Sequence, residues 1–257
     1  MDHPFVKGLQ RITLLKVPID IVPEDQIPRI ARELAEDEGR KILVFLTYAN
    51  FMKAQRDPEF LAQLNRAALI IPVSKSLELG CRFLKLPQIV RHYPFDFVIK
   101  FLGALEEKRR TIYLLGEQHD GIQTIAANLR TSFPGLTLIG RHTGHYGRDK
   151  EEPILQAIQK ATPTLLLVGP GVPGREKWAF RQGSTLPIKV ILHSEESFQI
   201  MSGKKRRPSK AAFRKGTHEL NRSLFNPFRL VRVFSYAGFG FLLLIQRMRK
   251  RVDLLLG

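Results

Sequence analysis

Segments of four to six mostly apolar residues alternate with longer amphipathic segments through the first three quarters of the chain. The short segments have the length of buried strands, and the longer ones repeat their apolar residues with the period of a helix. The clearest helical stripe, within residues 121–133, consists of Ile122, Ile125, Ala126 and Leu129. Predicted strands cover residues 12–17, 41–46, 68–72, 111–115, 136–140, 165–168 and 188–192.

Strands that alternate with helices of this length predict an α/β fold. We expect largely parallel sheets with helices on both faces, in a Rossmann-like arrangement. Helix starts are predicted where Pro23 precedes two acids and where a capping side chain precedes a periodic segment. Ser74 is predicted to cap a helix that reaches Leu84, and Asp96 to cap one that reaches Leu105.

The alternation ends after Glu196, and a different composition follows. A run of four bases begins at Lys204 and stops at Pro208, and the helical segments beyond it are interrupted at Asn226 and Pro227. We therefore predict two parts: an α/β domain at residues 1–196 and a basic, mostly helical C-terminal appendage at residues 197–257.

Charge is concentrated in this appendage. The whole chain carries +17, and from Gly203 onward 14 bases face two acids. Such a segment favours a polyanionic partner, either nucleic acid or an anionic membrane surface. Nucleic acid is not expected, because the appendage lacks both the repeated aromatics of single-strand binders and a helix-turn-helix pattern.

Residues 233–245 are uncharged and mostly apolar. They are too short to span a bilayer, which takes roughly 20 residues. Two interpretations remain open: Phe234, Tyr236, Phe239 and Phe241 either pack against the α/β domain or dip into the membrane interface beside the flanking bases. The lopsided charge favours the second. Cys81 is the single cysteine and there is no signal-peptide pattern, so a cytoplasmic location is predicted.

A glycine-rich turn follows the predicted strand at residues 165–168. Gly169, Gly171 and Gly174 lead into a helix that is predicted to begin near Arg175. A strand, a glycine turn and a helix N-terminus can direct backbone N–H groups at an anion. The alternative is a tight βα turn with no ligand. His142 and His145 have a His-x-x-His spacing, but without a third ligand nearby we expect no metal site.

The order of several short motifs resembles the bacterial WecG/TagA/CpsF family, glycosyltransferase family 26, over nearly the whole chain. These motifs are residues 114–116 (Leu-Leu-Gly), 133–136 (Phe-Pro-Gly-Leu), 139–144 (Ile-Gly-Arg-His-Thr-Gly), 166–169 (Leu-Leu-Val-Gly), 176–178 (Glu-Lys-Trp) and 226–230 (Asn-Pro-Phe-Arg-Leu).

The resemblance implies an inverting transferase at the inner face of the cytoplasmic membrane, peripherally bound through its basic appendage. Its substrates would be a UDP-linked N-acetylmannosamine-type sugar and a lipid-diphosphate-linked acceptor. It implies no metal and no cofactor other than the UDP-sugar donor, which is a substrate, and it gives no oligomeric state. The alternative is a non-catalytic relative that acts as a binding or scaffold protein in the same pathway.

The chain departs from the family where the chemistry is expected. The family's Pro-Asp-Gly element is Pro72, Val73 and Ser74 here, and valine cannot accept a proton from an acceptor hydroxyl. Of the family's Thr-x-Asn element, only Thr47 can still hydrogen-bond a sugar. The nearest carboxylates in sequence, Glu78 and Asp96, are the candidate replacement bases.

The donor side is also altered. Glu117, Glu195 and Glu196 stand where the family has glycines, and such acids would repel a diphosphate unless they point away from it. By resemblance and turn chemistry, the donor-binding candidates are Arg91, Gly116, Gly144, Tyr146, Gly169, Gly171, Arg175 and Glu176.

Overall fold

The structure is a computed structural model that describes residues 3–174, 176–182, 185–217 and 229–256. Within these residues, six strands form one parallel sheet and two others form an antiparallel hairpin. The strands are β1 (Gln10–Leu14), β2 (Val17–Ile21), β3 (Lys41–Leu46), β4 (Leu69–Pro72), β5 (Thr111–Leu115), β6 (Thr137–His142), β7 (Leu165–Val168) and β8 (Val190–His193).

Helices connect the strands of the sheet. A 3₁₀ turn at Glu24–Gln26 precedes the first of them. The α-helices are α1 (Ile27–Glu36), α2 (Tyr48–Ala54), α3 (Pro58–Arg66), α4 (Lys75–Phe83), α5 (Pro94–Glu106), α6 (His119–Ser132), α7 (Glu151–Ala161), α8 (Glu176–Gln182), α9 (Glu195–Met201), α10 (Lys210–Lys215) and α11 (Arg229–Leu256). The expected α/β fold with a parallel sheet is confirmed, as is a helical C-terminal segment.

The sheet order is β4-β3-β8-β7-β5-β6, and both of its faces are covered. Helices α1, α5, α6 and α9 bury one face, on which Leu43 and Phe45 of β3 lie. The hairpin and the remaining helices of the α/β part cover the other face, on which Val44 and Leu46 lie. Alternate residues of one strand thus enter different cores, which is why the strands are apolar throughout.

The first predicted strand, at residues 12–17, is wrong: the structure has a hairpin there, outside the parallel sheet. Its turn consists of Leu15 and Lys16, whose φ angles are 45° and 71°. Hairpin turns of this kind usually use Asn or Gly, so the sequence carried no turn signal. The hairpin is tied to the sheet by Asp20, whose Oδ2 accepts a 2.6 Å hydrogen bond from the Ile70 N–H.

Two predicted helix caps differ in the structure. Helix α5 begins at Pro94, which suits a first helical position because that residue needs no N–H donor. Asp96 therefore lies in the first turn rather than at the cap. Ser74 does precede α4, but its Oγ accepts a 3.0 Å hydrogen bond from the Tyr48 N–H and does not cap its own helix.

The C-terminal segment packs against the hairpin side of the sheet through α11. Phe239 and Leu243 are buried there, while Phe241, Leu244 and Met248 are exposed. Residues 233–245 thus have one packed face and one exposed face, although Phe234 is outside the described side chains. No helix among the described residues is long and apolar enough to cross a membrane.

The boundary between the two predicted parts falls inside α9. Phe198, the second residue beyond it, is fully buried in the core beneath α5 and α6. The division at residue 197 is not marked by a gap in the structure, and it stays a prediction.

Candidate active site

The connections leaving β3 and β8 turn to opposite faces of the sheet. These two strands are neighbours, yet α2 follows β3 on the hairpin side and α9 follows β8 on the other side. In open α/β sheets, such a switch point leaves a crevice beyond the carboxyl ends of the strands, where ligands bind.

A cavity of about 530 Å³ occupies this crevice. We call it the switch-point cavity. It is lined by the strand ends and by parts of the C-terminal segment, including Phe45, Thr47, Tyr48, Val73, Ser74, Pro94, His193, Ser194, Glu195, Glu196, Lys205, Arg206, Pro208 and Tyr236. Its volume lies in the range of small-molecule sites, roughly 300–1,000 Å³.

Thr47 and Val73 meet in this cavity, as the resemblance predicts for its two catalytic elements. The Thr47 hydroxyl accepts a 3.2 Å hydrogen bond from the Asn50 N–H as the cap of α2, which leaves its own proton for a ligand. Val73 is fixed by a 3.0 Å hydrogen bond from its N–H to the Leu46 carbonyl. An apolar side chain therefore lines the cavity at the position where the resemblance predicts an acid.

Glu78 is held by two cations. Its carboxylate receives hydrogen bonds from Lys75, at 2.5 Å, and from Arg91 Nε, at 2.7 Å. Burial acts to raise the pKa of Glu78, but the hydrogen bonds and charges of Lys75 and Arg91 outweigh it and lower that pKa. A lowered pKa makes the carboxylate a weaker proton acceptor. Among the described residues, those lining the switch-point cavity do not include Glu78.

Arg91 binds protein groups on every side. Besides Glu78, its guanidinium donates to the carbonyls of Val73, Phe213 and Arg214 at 3.2, 3.1 and 2.9 Å. It also lies over the Phe213 ring, 4.7 Å from the centroid. Arg91 therefore connects the loop that precedes α5 with helix α10. Its contact with a donor phosphate stays a prediction.

Asp96 is likewise engaged outside the cavity lining of the described residues. Its Oδ2 accepts a 2.7 Å hydrogen bond from Arg207 of the C-terminal segment. Glu78 and Asp96, the carboxylates proposed from sequence order, are thus both held by cationic side chains, and their role as replacement bases stays a prediction.

The acids expected to repel a diphosphate are partly neutralised by the same C-terminal segment. Lys204 pairs with Glu117, and Lys205 pairs with Glu196. Glu117 is nearly fully buried, whereas Glu196 lines the switch-point cavity. The two lysines follow Gly203 directly, so one short stretch compensates an acid on the β5–α6 loop and an acid at the start of α9.

The predicted glycine turns are packed against one another. The N–H groups of Gly169 and Gly144 donate to the carbonyls of Leu115 and Glu117, at 2.7 and 2.8 Å. A Cβ on Gly116 would come within 2.6 Å of Gly169 Cα, and Gly171 accepts from the His145 N–H at 2.7 Å. These glycines allow close backbone contact, and the described lining of the switch-point cavity does not contain them.

Three donor-binding candidates remain: Tyr146, Arg175 and Glu176. Tyr146 is buried among the residues around α7, and burial raises the pKa of its hydroxyl to about 12. Arg175 lies outside the described residues, and Glu176 begins α8 but its side chain is not among those described. In the described part of the chain, no group of three His, Cys, Asp or Glu residues is placed to hold a metal ion.

At the junction between β8 and α9, sequence reasoning noted Glu195 and Glu196 only as acids that would repel a diphosphate, and it missed His193. His193, Glu195 and Glu196 all line the switch-point cavity because β8 lies directly beside β3. The available signal was a histidine and two acids at a strand end. These residues could be assigned to the cavity only once the strand order was known, because it places the end of β8 next to Thr47.

Comparisons with known proteins give the family of this chain. The family model described as "Glycosyl transferase WecG/TagA/CpsF family" matches residues 12–253. The N-acetylglucosaminyldiphosphoundecaprenol N-acetyl-beta-D-mannosaminyltransferase of Bacillus subtilis (strain 168) is 23% identical over 198 residues, which cover 77% of this chain and 77% of that protein. The family match spans nearly the whole chain, and the protein therefore belongs to the WecG/TagA/CpsF family of glycosyl transferases.

Proposed function

We propose that this protein transfers an N-acetylmannosamine-type sugar from a UDP donor to a lipid-diphosphate-linked acceptor. The observation that carries the proposal is the cavity at the switch point, in a chain whose family model matches almost end to end. The name of the Bacillus subtilis relative supports this sugar and this class of acceptor.

The lining of the switch-point cavity suits a sugar nucleotide. Thr47 offers a hydroxyl donor to the sugar, and the cationic side chains of Lys205 and Arg206 attract a diphosphate. Lys205 keeps Glu196 neutralised at the same time, and an ammonium group has three N–H donors to share.

The reaction needs a proton acceptor. The acceptor oxygen bonds to the anomeric carbon, the bond from that carbon to the diphosphate breaks, and the hydroxyl proton passes to a base. We infer that this base comes from the β8–α9 junction, where His193, Glu195 and Glu196 line the cavity. His193 is our first choice, because imidazole is the side chain that ordinarily titrates closest to neutral pH.

The test combines the full chain, UDP-N-acetylmannosamine and an N-acetylglucosaminyl-diphosphate isoprenoid, with the product followed by mass spectrometry. We expect a gain of one N-acetylhexosamine. His193→Gln should lower kcat by roughly 10²–10⁴-fold, the usual contribution of a general base, and leave donor affinity unchanged. Glu195→Gln and Glu196→Gln test the two neighbouring groups. Full activity in all three variants would refute the junction as the source of the base.

A second candidate function is favoured by Val73. A chain with no acid at this cavity position fits a binding or scaffold protein that keeps the family fold. This candidate predicts nucleotide-sugar binding by the wild-type protein with neither sugar transfer nor UDP release for any donor–acceptor pair. Turnover of even one pair would exclude it.

The proposed place of action is the inner surface of the cytoplasmic membrane. Support comes from α11, where Phe241, Leu244 and Met248 form an exposed apolar row on one face of the helix. Arg247 and Arg249 lie on the same helix, and such a combination suits a helix lying in a membrane interface.

A further inference from the structure

A second cavity, of about 610 Å³, lies between α4, the end of α10 and α11. We call it the helix cavity. Its walls are mainly apolar and include Leu79, Phe83, Phe239, Leu243 and Leu244. Lys75, which is paired with Glu78, and Lys215 also line it, so the apolar chamber is bordered by two basic residues.

The helix cavity adjoins the switch-point cavity. Tyr236 lines both of them. Ser74 lines the first and Lys75, the next residue, lines the second. Gly216, the residue after Lys215, packs against Lys75, because a Cβ on Gly216 would lie 2.9 Å from Lys75 Cβ. The cationic part of the helix cavity is therefore at the side nearest the proposed chemistry.

We propose that the helix cavity binds the first isoprenyl units of the lipid acceptor, with the acceptor's diphosphate beside Lys75 and Lys215. This inference rests on the proposed function. The order of chemical groups in such an acceptor is sugar, diphosphate and isoprenyl chain. The order along the protein is the same: switch-point cavity, two lysines and apolar chamber.

The surroundings favour a lipid chain over a soluble apolar ligand. The exposed residues Leu244 and Leu79, at 52% and 43% exposure, lie on the lining of the helix cavity, and Phe241 and Met248 continue the apolar surface along α11. A chain that leaves the cavity along this surface stays in contact with apolar side chains. The volume also falls within the roughly 300–1,000 Å³ range of ligand sites.

Two glycines of α11 provide a matched pair of variants. Gly240 lines the helix cavity, and no described atom lies within 4 Å of a Cβ built on it. Gly238 has the same open space around its Cβ but is exposed and outside the cavity lining. Gly240→Leu should fill the cavity without displacing described atoms, while Gly238→Leu makes the same change in the same helix. Both replace glycine by a better helix former.

The experiment measures binding of farnesyl diphosphate to the full chain by calorimetric titration, with inorganic diphosphate as the reference. Wild type and Gly238→Leu should bind farnesyl diphosphate more tightly than diphosphate. Gly240→Leu should lose at least about tenfold in affinity, because a single methylene misfit in an apolar pocket changes discrimination by roughly 10–200-fold. UDP-sugar affinity and melting temperature should be the same in both variants. Equal affinity of the two variants for farnesyl diphosphate would overturn the proposal, as would farnesyl diphosphate binding no better than diphosphate.

Vesicles of phosphatidylglycerol and phosphatidylcholine separate the cavity from general membrane contact. Both variants should co-sediment with these vesicles as the wild type does. Loss of vesicle binding by Gly240→Leu, with unchanged farnesyl diphosphate affinity, would instead assign this surface to the bilayer and reject the proposal. Because the titration needs no turnover, a protein that binds farnesyl diphosphate as described but transfers no sugar would refute the proposed function alone.

Discussion

Val73 places two methyl groups at a cavity position where the resemblance predicts the proton acceptor of the family. Its backbone is held on both sides, by the bond to Leu46 and by the guanidinium of Arg91 on its carbonyl. The residue is 6% exposed and lines the switch-point cavity. A longer polar side chain at this position would therefore enter the cavity from a fixed backbone.

Val73→Asp should act as a second-site rescue. In a His193→Gln background, we expect the added carboxylate to restore turnover by about tenfold or more, since a positioned base contributes roughly 10²–10⁴-fold. Val73→Asn is the control, because it has nearly the same shape but cannot accept the proton at neutral pH. Equal activity of the Asp and Asn variants would show that position 73 does not face the reacting hydroxyl.

The β1–β2 hairpin depends on a buried carboxylate for its attachment to the sheet. Asp20 has a fully buried side chain and receives two hydrogen bonds from Arg11, at 2.6 and 2.9 Å, besides the bond from Ile70. Burial acts to raise the pKa of Asp20, but the hydrogen bonds and charges of Arg11 and His3 outweigh it and lower that pKa. The ionised form is thus the one that the fold stabilises.

Asp20→Asn should lower the free energy of unfolding at pH 7 by roughly 3–5 kcal/mol, because it leaves Arg11 without its buried partner. In the wild type, the stabilisation is present above the pKa of an unfolded aspartate, about 3.9, and is lost as the pH falls through the lower folded pKa. Urea unfolding at pH 7 and in acid should therefore show a weaker pH dependence in the variant. Glu24→Gln, at an ion pair with Lys100 whose side chains are 65% and 39% exposed, respectively, is the control and should change little. A similar loss in both variants would contradict this account.

Helix α11 fits against α4 because Gly80 has no side chain. The Phe239 ring lies over this glycine, with its centroid 5.5 Å from that of Phe51 and 5.8 Å from that of Tyr48. A Cβ on Gly80 would be 2.8 Å from the tip of the Phe239 ring, closer than two carbons can approach. The contact between the two helices therefore has no room for even one methyl group.

Gly80→Ala should loosen α11 even though alanine is the better helix former by about 1 kcal/mol. We expect a lower melting temperature and faster proteolytic cleavage within residues 203–257. Gly103→Ala in α5 is the matched control, because the nearest atom to its added Cβ is 4.0 Å away. That variant should be as stable as the wild type or slightly more stable. If both alanines stabilise the protein, α11 does not depend on the contact at Gly80.

The sequence predicted the individual strands and helices better than it predicted which of them pack against each other. Apolar periodicity located β3, β5 and β7 to the residue, because buried strands and amphipathic helices differ in period. The hairpin was missed because Leu15 and Lys16 form its turn without Gly or Asn. Only some residues of the switch-point cavity were predictable from the sequence. Motif order identified Val73 and Thr47. His193 could be assigned to the cavity only from the pairing of β8 with β3, a contact between distant parts of the chain.

At the scale of the whole molecule, the C-terminal segment and the α/β part hold each other in place. Lys204, Lys205 and Arg207 are paired with Glu117, Glu196 and Asp96, respectively. Further along, Phe239 and Leu243 complete the core beside α2 and α4. Deletion of residues 203–257, the simplest test of membrane association, would therefore also uncover a core and release three acids, so a surface variant is the sharper test.

Replacing Phe241, Leu244 and Met248 by serine should weaken co-sedimentation with anionic liposomes. These side chains are 63%, 52% and 61% exposed, so the fold should lose little stability. Burying a large apolar side chain stabilises by about 1.5–3 kcal/mol, and removal of three should reduce the bound fraction strongly even if each is only partly inserted. Phe5→Ser, at an exposed apolar residue near the N-terminus, is the control. Unchanged sedimentation of the triple variant would show that α11 does not insert into the bilayer.

The internal ion pairs of the C-terminal segment also set how the protein should respond to ionic strength. Of the 14 bases after Gly203, Lys204, Lys205 and Arg207 in the described part of the chain already face carboxylates of the same molecule, so fewer remain to attract lipid headgroups. Long-range attraction of the remaining charge is screened beyond about 8 Å in physiological salt. Salt should therefore slow the arrival of the protein at the bilayer much more than it hastens departure, because the time spent there depends on apolar contact that salt does not screen.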